Sequence, residues 1–522
     1  MDIYQYFFDK NALYKAEFKN KGYIHFDHEF SLNRVFKALA KLKDTKLISH
    51  AFYPFIRFTI PKYKRDENGK SYIDNENPRY IIHTARVDSN IYSFYRNILM
   101  NKYEELLKKL NINECVIAYR KIPIRANSKK NKCSVHFANE AIEEIKRQVL
   151  SEKNSGCYAI ALDIKGFFDN LSHGIIKQQW CKVIGSNNGL PQDHFKIYKN
   201  ITKYRYIDVE KLENLLNINF EKIYQKNNKI RKQNENLKLG SNDPPSPNLK
   251  LCTDEDFRNI IIPNLEEKKQ LGIPQGTPIS DAIANMYMLN FDVAMQKLAI
   301  KNNGYYRRYS DDILLILPQC SVKRSIRIIN WLLKYTTKTL KINAKKTVVS
   351  KFSKNDSSIV CNTYKLKNDI ECEMVGKPFE YLGLSFDGKI IRLRKSTISA
   401  FYIKLSSRIK KEVKIAKFKL KKRGNKYPTA SEIYKIISFD MIYNSYMECR
   451  EPEEKFLGNF YTYVNLVSKV TSSLQIKDIF NNLENWIKKR AKKYCVDTEK
   501  KYRKLKSYHR NFPSTCTALE KA

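Results

Sequence analysis

Tyr309-Ser310-Asp311-Asp312, set between the polar run Gly304–Arg308 and the apolar run Ile313-Leu314-Leu315-Ile316-Leu317, decides how this chain is read. A polar segment, two turn-forming residues and then an unbroken apolar stretch predict a β-hairpin with two acids at its tip. Asp is common in turns because its carboxylate bonds nearby backbone amides, so the pair alone fits an ordinary turn. Two carboxylates on a rigid hairpin also fit an oxygen-ligand site for a divalent cation. The rest of the chain decides between these readings.

That chain is strongly basic. Its 522 residues carry 96 Lys+Arg against 54 Asp+Glu, a net charge of +42. Self-repulsion on this scale opposes a compact state, and a basic globular chain points to a polyanionic partner, nucleic acid. Codon bias is the bland alternative, but a bias that enriches Lys enriches Glu as well, and the excess survives it. A composition 42% hydrophobic and 12% aromatic belongs to folded proteins, and the length allows roughly two to four domains. The 11 cysteines and eight histidines are dispersed without a Cys-x-x-Cys pair, which argues against structural zinc and for reduced thiols. No basic and apolar leader follows Met1-Asp2-Ile3-Tyr4, and no run approaches the ~18 apolar residues of a membrane span. A soluble intracellular protein with no membrane partner is the expectation.

Periodicity supplies the elements. A capped helix is expected over 31–43 and a strand over 52–62, ending at Pro61. After a turn at Asn68-Gly69-Lys70 a second strand follows at Arg79-Tyr80-Ile81-Ile82, making a basic hairpin. Residues 89–110 have helical spacing. The apolar stretch Cys157–Leu162 reads as a buried strand leading into Asp163. Gly240-Ser241-Asn242-Asp243-Pro244-Pro245-Ser246-Pro247 can be neither helix nor central strand; RNA contact and a surface loop fit it equally. Glu380–Phe386 reads as a strand before a turn at Asp387-Gly388. Over 398–423 an amphipathic helix buries Leu405, Ile409, Val413, Ala416 and Leu420, while Lys410, Lys411, Lys414, Lys421, Lys422 and Arg423 crowd its other faces. Such a face is often merely solvated; its single sign favours nucleic-acid backbone.

Asp163 is the natural partner of the hairpin acids. A carboxylate at a strand end beside the hairpin makes an all-oxygen set, Asp163, Asp311 and Asp312, suited to Mg2+, with Mn2+ as the alternative. Two such ions ~4 Å apart activate a 3′-hydroxyl and stabilise leaving pyrophosphate in an in-line displacement. Between the acids lies Gly272-Ile273-Pro274-Gln275-Gly276-Thr277, a turn whose two residues without Cβ let a nucleotide approach its backbone closely.

In this order, strand-Asp163 with Phe167-Phe168-Asp169, the Pro274-Gln275-Gly276 turn and Tyr309-Ser310-Asp311-Asp312 resemble the reverse transcriptases. The basic hairpin, Asn343-Ala344-Lys345-Lys346-Thr347 and Tyr381-Leu382-Gly383-Leu384 extend the likeness to retron and group II intron enzymes. The resemblance implies an α+β right-hand polymerase. Its parts would be an N-terminal extension (1–50), fingers (51–150), a palm with an RRM-like antiparallel sheet (151–390) interrupted by an insertion at about 185–270, a thumb helix region (391–425) and a basic α-helical region (426–522). It also implies site roles. Asp163 and Asp311 would hold both ions with Asp312 in support, Lys62 and Arg79 would grip the triphosphate, and Gln275 would line the nucleotide pocket. Lys346 would be either a proton donor to pyrophosphate or a structural residue. Phe168 would exclude a 2′-hydroxyl and select deoxynucleoside triphosphates, because RNA-copying RNA polymerases typically carry Asp there and Gly-Asp-Asp at the hairpin.

No zinc-finger endonuclease pattern and no set of spaced acids for a ribonuclease H domain occurs in the last hundred or so residues. With Ala118-Tyr119-Arg120-Lys121 and Ile283-Ala284-Asn285-Met286-Tyr287, the chain most resembles bacterial defence-associated enzymes of the unknown-group and abortive-infection type. That likeness implies a structured noncoding RNA as template, a DNA product, antiphage defence and a homo-oligomer, with synthesis started in some branches on a protein tyrosine. A retron or group II intron enzyme is the near alternative. A catalytically inactive RNA-binding scaffold is the distant one, and three carboxylates beside phosphates argue against it.

Overall fold

The computed structural model describes residues 23–27, 50–61, 63–65, 71–73, 78–151, 156–223, 225, 250–268, 270–318, 321–355, 358–366, 372–425, 427–447 and 459–511. The fold is α+β, in two compact units. The first comprises 1–120, 160–349 and 365–373; the second comprises 121–159, 350–364 and 374–522.

In the first unit β1 (Phe55–Ile60) pairs antiparallel with β4 (Arg79–His83), Ile60 opposite Arg79. Between them β2 (Tyr63–Arg65) and β3 (Ser71–Ile73) form a second ladder. The expected basic hairpin is thus present. Lys62, the turn at Asn68-Gly69-Lys70, the expected helix over 31–43 and the loop 240–247 lie outside the described residues. The stretch read as an insertion does more than interrupt. Its strand β6 (Tyr204–Asp208) runs parallel to β1 and pairs with β7 (Glu266–Lys268), giving the order β4-β1-β6-β7. A parallel partner must return through a long crossover, so nothing local in the sequence announces it. Phe26, Ile56, Ile207, Leu212, Phe220 and Ile261 close the core beneath this sheet.

Helix α1 (Arg86–Lys109) buries Ile91, Phe94, Tyr95 and Leu99, as its spacing predicts, while Ile98 of the same expected stripe is half-buried and Tyr103 is buried as well. Asp88 in its first turn and Lys108 and Lys109 in its last complement the helix dipole. The unit also holds α3 (His173–Ile184), α4 (Gln192–Thr202), α5 (Val209–Leu216), α6 (Ser280–Tyr287), α7 (Leu289–Lys301) and α8 (Val322–Thr337).

Among the described residues the second unit contains α2 (Ser134–Leu150), a three-stranded sheet and the later helices α9 (Lys395–Lys422), α10 (Ala430–Ile436), α11 (Phe439–Met447), α12 (Phe460–Thr471) and α13 (Leu483–Asn511). The apolar stripe of α9 buries as expected, against Ile433, Ile437, Leu483, Ile487 and Ala491. The single strand expected over Glu380–Phe386 is two strands, β10 (Phe379–Tyr381) and β11 (Leu384–Phe386), paired antiparallel, and β12 (Ile391–Leu393) completes the sheet. Leu382 (φ 42°) and Gly383 (φ 95°) form the turn. Positive φ at both central positions marks a tight hairpin turn, and an apolar Leu there disguises it in the sequence. The units also cut across the linear boundaries drawn at 50, 150, 390 and 425. Segment 121–159 groups with the C-terminal part because α2 packs against α12 and β11. Among the described residues no helix is long and apolar enough to cross a membrane.

Candidate active site

Strands β8 (Tyr305–Tyr309) and β9 (Asp312–Leu317) pair antiparallel with Tyr309 opposite Asp312, leaving Ser310-Asp311 as a two-residue loop. Ser310 takes φ 59°, the positive value that primed hairpin turns need at their first central position. The run Ile313–Leu317 is buried, which is why it reads as an unbroken apolar stretch and does not alternate.

The tip is clamped from below. The Arg308 guanidinium and the Asp292 carboxylate of α7, both 0% exposed, form a bidentate pair at 2.8 and 2.7 Å. Burial opposes the charge on Arg308, and Asp292 outweighs it and holds the guanidinium protonated. Arg308 Nη1 donates to the Ser310 carbonyl at 3.0 Å, and the Tyr306 hydroxyl donates to Asp292 at 2.7 Å. At the outer edge of β8, Arg308 N donates to the Cys115 carbonyl and Ile117 N to the Arg308 carbonyl. The Tyr119 hydroxyl lies 3.2 Å from Ser310 Oγ. Sequence reasoning passed over Arg308 and Asp292. The signal was there: Arg308 shares a strand face with buried Tyr306, and Asp292 sits between Phe291 and Met295 on the buried side of its helix.

Asp163 ends β5 (Gly156–Asp163) and meets the hairpin through the backbone, Ile164 N donating to the Asp311 carbonyl at 3.2 Å. The segment around Ile342 runs antiparallel on its other side, Asn343 N donating to the Asp163 carbonyl at 2.7 Å. This register delivers two side chains to the Asp163 carboxylate, Asn343 Nδ2 at 3.1 Å and Lys346 Nζ at 2.9 Å. Burial pushes the Asp311 carboxyl above the ordinary carboxylate range, and the nearby Asp163 charge adds to this. Its own amide, the Ser310 hydroxyl and the Lys346 ammonium pull the other way. Asp312 begins β9 and is exposed. Among the described residues no group of three or more His, Cys, Asp or Glu side chains is gathered closely enough to hold a metal ion. Of the three acids expected to act together, the structure brings together Asp163 and Asp311. Asp312 is not gathered with them closely enough to complete a three-acid group.

Phe168 opens the short turn Phe168–Asn170 after β5, half-buried and edge-on to Phe167 with centroids 5.5 Å apart. The Pro-Gln-Gly loop lies on this turn, Ile273 N donating to the Phe168 carbonyl at 2.9 Å and Gly272 N to the Leu171 carbonyl at 2.8 Å. The loop also reaches β4, where Ile82 N donates to the Gln275 carbonyl at 2.8 Å. Its glycines are required by this packing. A Cβ on Gly272 (φ 81°) would meet the Asp169 backbone at 2.6 Å, and one on Gly276 (φ 114°) the Ile82 carbonyl at 2.6 Å. Phe168, half-buried Gln275 and exposed Arg79 of β4 are therefore tied together by backbone. Lys410, Lys411, Lys414, Lys421, Lys422 and Arg423 belong to the second unit, all exposed on α9 or at its C-cap.

No family model matches the chain, and no curated protein matches it. Among solved structures it is similar to the apo telomerase of Candida tropicalis (TM-score 0.36, 11% identity, 85% of this chain and 62% of that one). It is also similar to the telomerase of Candida albicans in complex with a TWJ fragment of telomeric RNA (TM-score 0.37, 12% identity, 88% and 65%). A third is the RNA-dependent RNA polymerase of a human picobirnavirus (TM-score 0.29, 8% identity, 62% and 45%). The chain spans less than two thirds of the length of either telomerase.

Proposed function

We propose that this chain is an RNA-directed DNA polymerase working by metal-assisted nucleotidyl transfer. The observation that carries the reading is the meeting of Asp163 and Asp311 at a clamped hairpin tip, with Lys346 on Asp163. Two like charges held together, one of them destabilised by its surroundings, make a site that a cation relieves. Mg2+ fits this donor set, because it commonly takes one or two protein carboxylates and completes its shell with water and substrate phosphates. Bound between Asp163 and Asp311, the metal would lower the pKa of an attacking 3′-hydroxyl and neutralise the leaving pyrophosphate.

The chain's own residues supply the rest. Arg308 and Asp292 keep the Asp311 backbone in place without reorganisation during the reaction. Lys346, bridged to Asp163, holds a positive charge where phosphate oxygens arrive. Arg79, exposed at the start of β4, grips the triphosphate together with Lys62, and Gln275 lines the pocket. Phe168, seated on the loop that carries Gln275, selects deoxynucleotides by occupying the space of a 2′-hydroxyl. The template is a structured noncoding RNA and the setting antiphage defence in a bacterial cytoplasm, with a homo-oligomer as the working form; the +42 charge and the motif order support this reading.

The test is DNA synthesis on a primed RNA template with Mg2+. Wild type incorporates deoxynucleotides, and a chain with Asp311→Ala and Asp312→Ala does not; equal incorporation by the two sinks the proposal. Sequencing the RNA and DNA that copurify identifies the template, and random cellular RNA there counts against a dedicated noncoding RNA.

A further inference from the structure

Helix α8, which follows the hairpin, turns a basic aromatic face outward. Its other face, with Ile326, Ile329 and Leu333, is buried, and the helix packs against α7. On the outer side Trp331 and Tyr335, one helical turn apart, lie ring over ring with centroids 5.3 Å apart and planes 11° apart. They are 60% and 72% exposed. At about 100° per residue, Arg324, Arg327 and Lys334 fall within about 60° of Trp331 around the helix. Lys338 stands at its C-cap. All four cations are exposed, and the helix contains no acid.

Two parallel rings left in water offer a large apolar area that a partner gains by covering. Protein interfaces are enriched in Arg but depleted in Lys, so a protein partner fits the rings and the arginines but not Lys334 and Lys338. A nucleic-acid strand fits both, since its phosphates pair with the cations and every base has a face that stacks on an aromatic ring. Bases inside a duplex are already stacked, so the strand must be unpaired. We infer that this face of α8 binds unpaired RNA, bases on Trp331 and Tyr335 and phosphates on Arg324, Arg327, Lys334 and Lys338. The choice of RNA rests on the proposed reaction, in which the uncopied template is single-stranded while new DNA is held in a hybrid.

Binding of a labelled oligoadenylate of about 16 nucleotides to the full-length protein, without metal or nucleotides, tests this. Trp331→Ala with Tyr335→Ala weakens single-stranded RNA about tenfold and leaves duplex RNA unchanged, whereas Arg327→Glu with Lys334→Glu weakens both. The oligonucleotide also quenches Trp331 emission, and Trp331→Phe removes that quench while keeping affinity within about threefold. Unchanged single-strand affinity in the aromatic variant overturns the inference, as does tighter binding of oligodeoxyadenylate. So does an aromatic variant that keeps its RNA but loses self-association in sedimentation, which would mark a protein interface. If wild type makes no DNA, the proposed reaction fails while the binding result still stands.

Discussion

Asp311 and Asp312 are neighbours in sequence, yet the hairpin gives them different surroundings. Asp311 shares its site with Asp163 and Lys346, and Asp312 is exposed on the first residue of β9. Single substitutions should therefore separate them. Asp163→Ala and Asp311→Ala are expected to lower primer extension about a thousandfold, the scale of losing several kcal/mol of charge stabilisation; Asp312→Ala should retain at least tenfold more activity than either. Equal losses would mean that Asp312 works inside the site. A second residue-scale prediction concerns His25. Burial, aided by His83 and Arg86, pulls it down to about 3 from 6.5 although its ring bonds the His83 carbonyl. Its folded pKa is depressed, so the unfolded chain binds the extra proton between these values. Stability is full above pH 6.5 and falls with acid by up to about 1.4 kcal/mol per pH unit. His25→Gln should narrow the difference in melting temperature between about pH 7 and pH 5. At this scale the site was partly legible. The position of Asp163 was readable because it ends an apolar strand; Phe168 was singled out only through the family resemblance. The different surroundings of the two adjacent acids were not legible, since they depend on the conformation of the turn.

The hairpin works as an element because a buried ion pair fixes its turn. Arg308→Met leaves Asp292 charged and buried, and removing one partner of such a pair costs about 3–5 kcal/mol. Adding Asp292→Leu should restore most of that stability, because a fully apolar replacement is often neutral. Neither variant should recover full activity, since both lack the donor to the Ser310 carbonyl. Hydrogen exchange of the β8 and β9 amides reports the first effect locally and primer extension the second. Full activity in the double variant would show that the clamp serves folding alone. Gly276→Ala is a parallel test on the neighbouring loop. The new Cβ meets the Ile82 carbonyl at 2.6 Å at φ 114°, so the contact between Gln275 and β4 must shift; KM for the deoxynucleotide is expected to rise more than kcat falls. Elements declared by local pattern, such as β1, β4, α1 and α9, were legible. The turn at Leu382-Gly383 was hidden by an apolar residue with positive φ, and β6 and β7 because their partners lie far away in the chain.

Over the whole molecule the decisive quantity is charge. A net +42 makes a polyanion the natural counterpart. The exposed lysines of α9 and the outer face of α8 show that much of this charge is presented on ordered helices. Binding driven by such surfaces releases counterions, so the logarithm of affinity falls linearly with the logarithm of salt, by about 0.7 for each phosphate contacted on a single strand. RNA affinity should therefore fall a hundredfold or more between about 50 and 200 mM salt if six or more phosphates are engaged. Reversing Lys410, Lys414 and Lys421 to Glu should flatten that slope by about 2, because three contacts are lost. The aromatic substitutions on α8 should lower affinity without changing the slope, because stacking releases no counterions. Titrations of wild type and both variants across the same salt range separate the two contributions. An affinity independent of salt would mean that the +42 is merely solvated, and the nucleic-acid reading of this surface would fall with it.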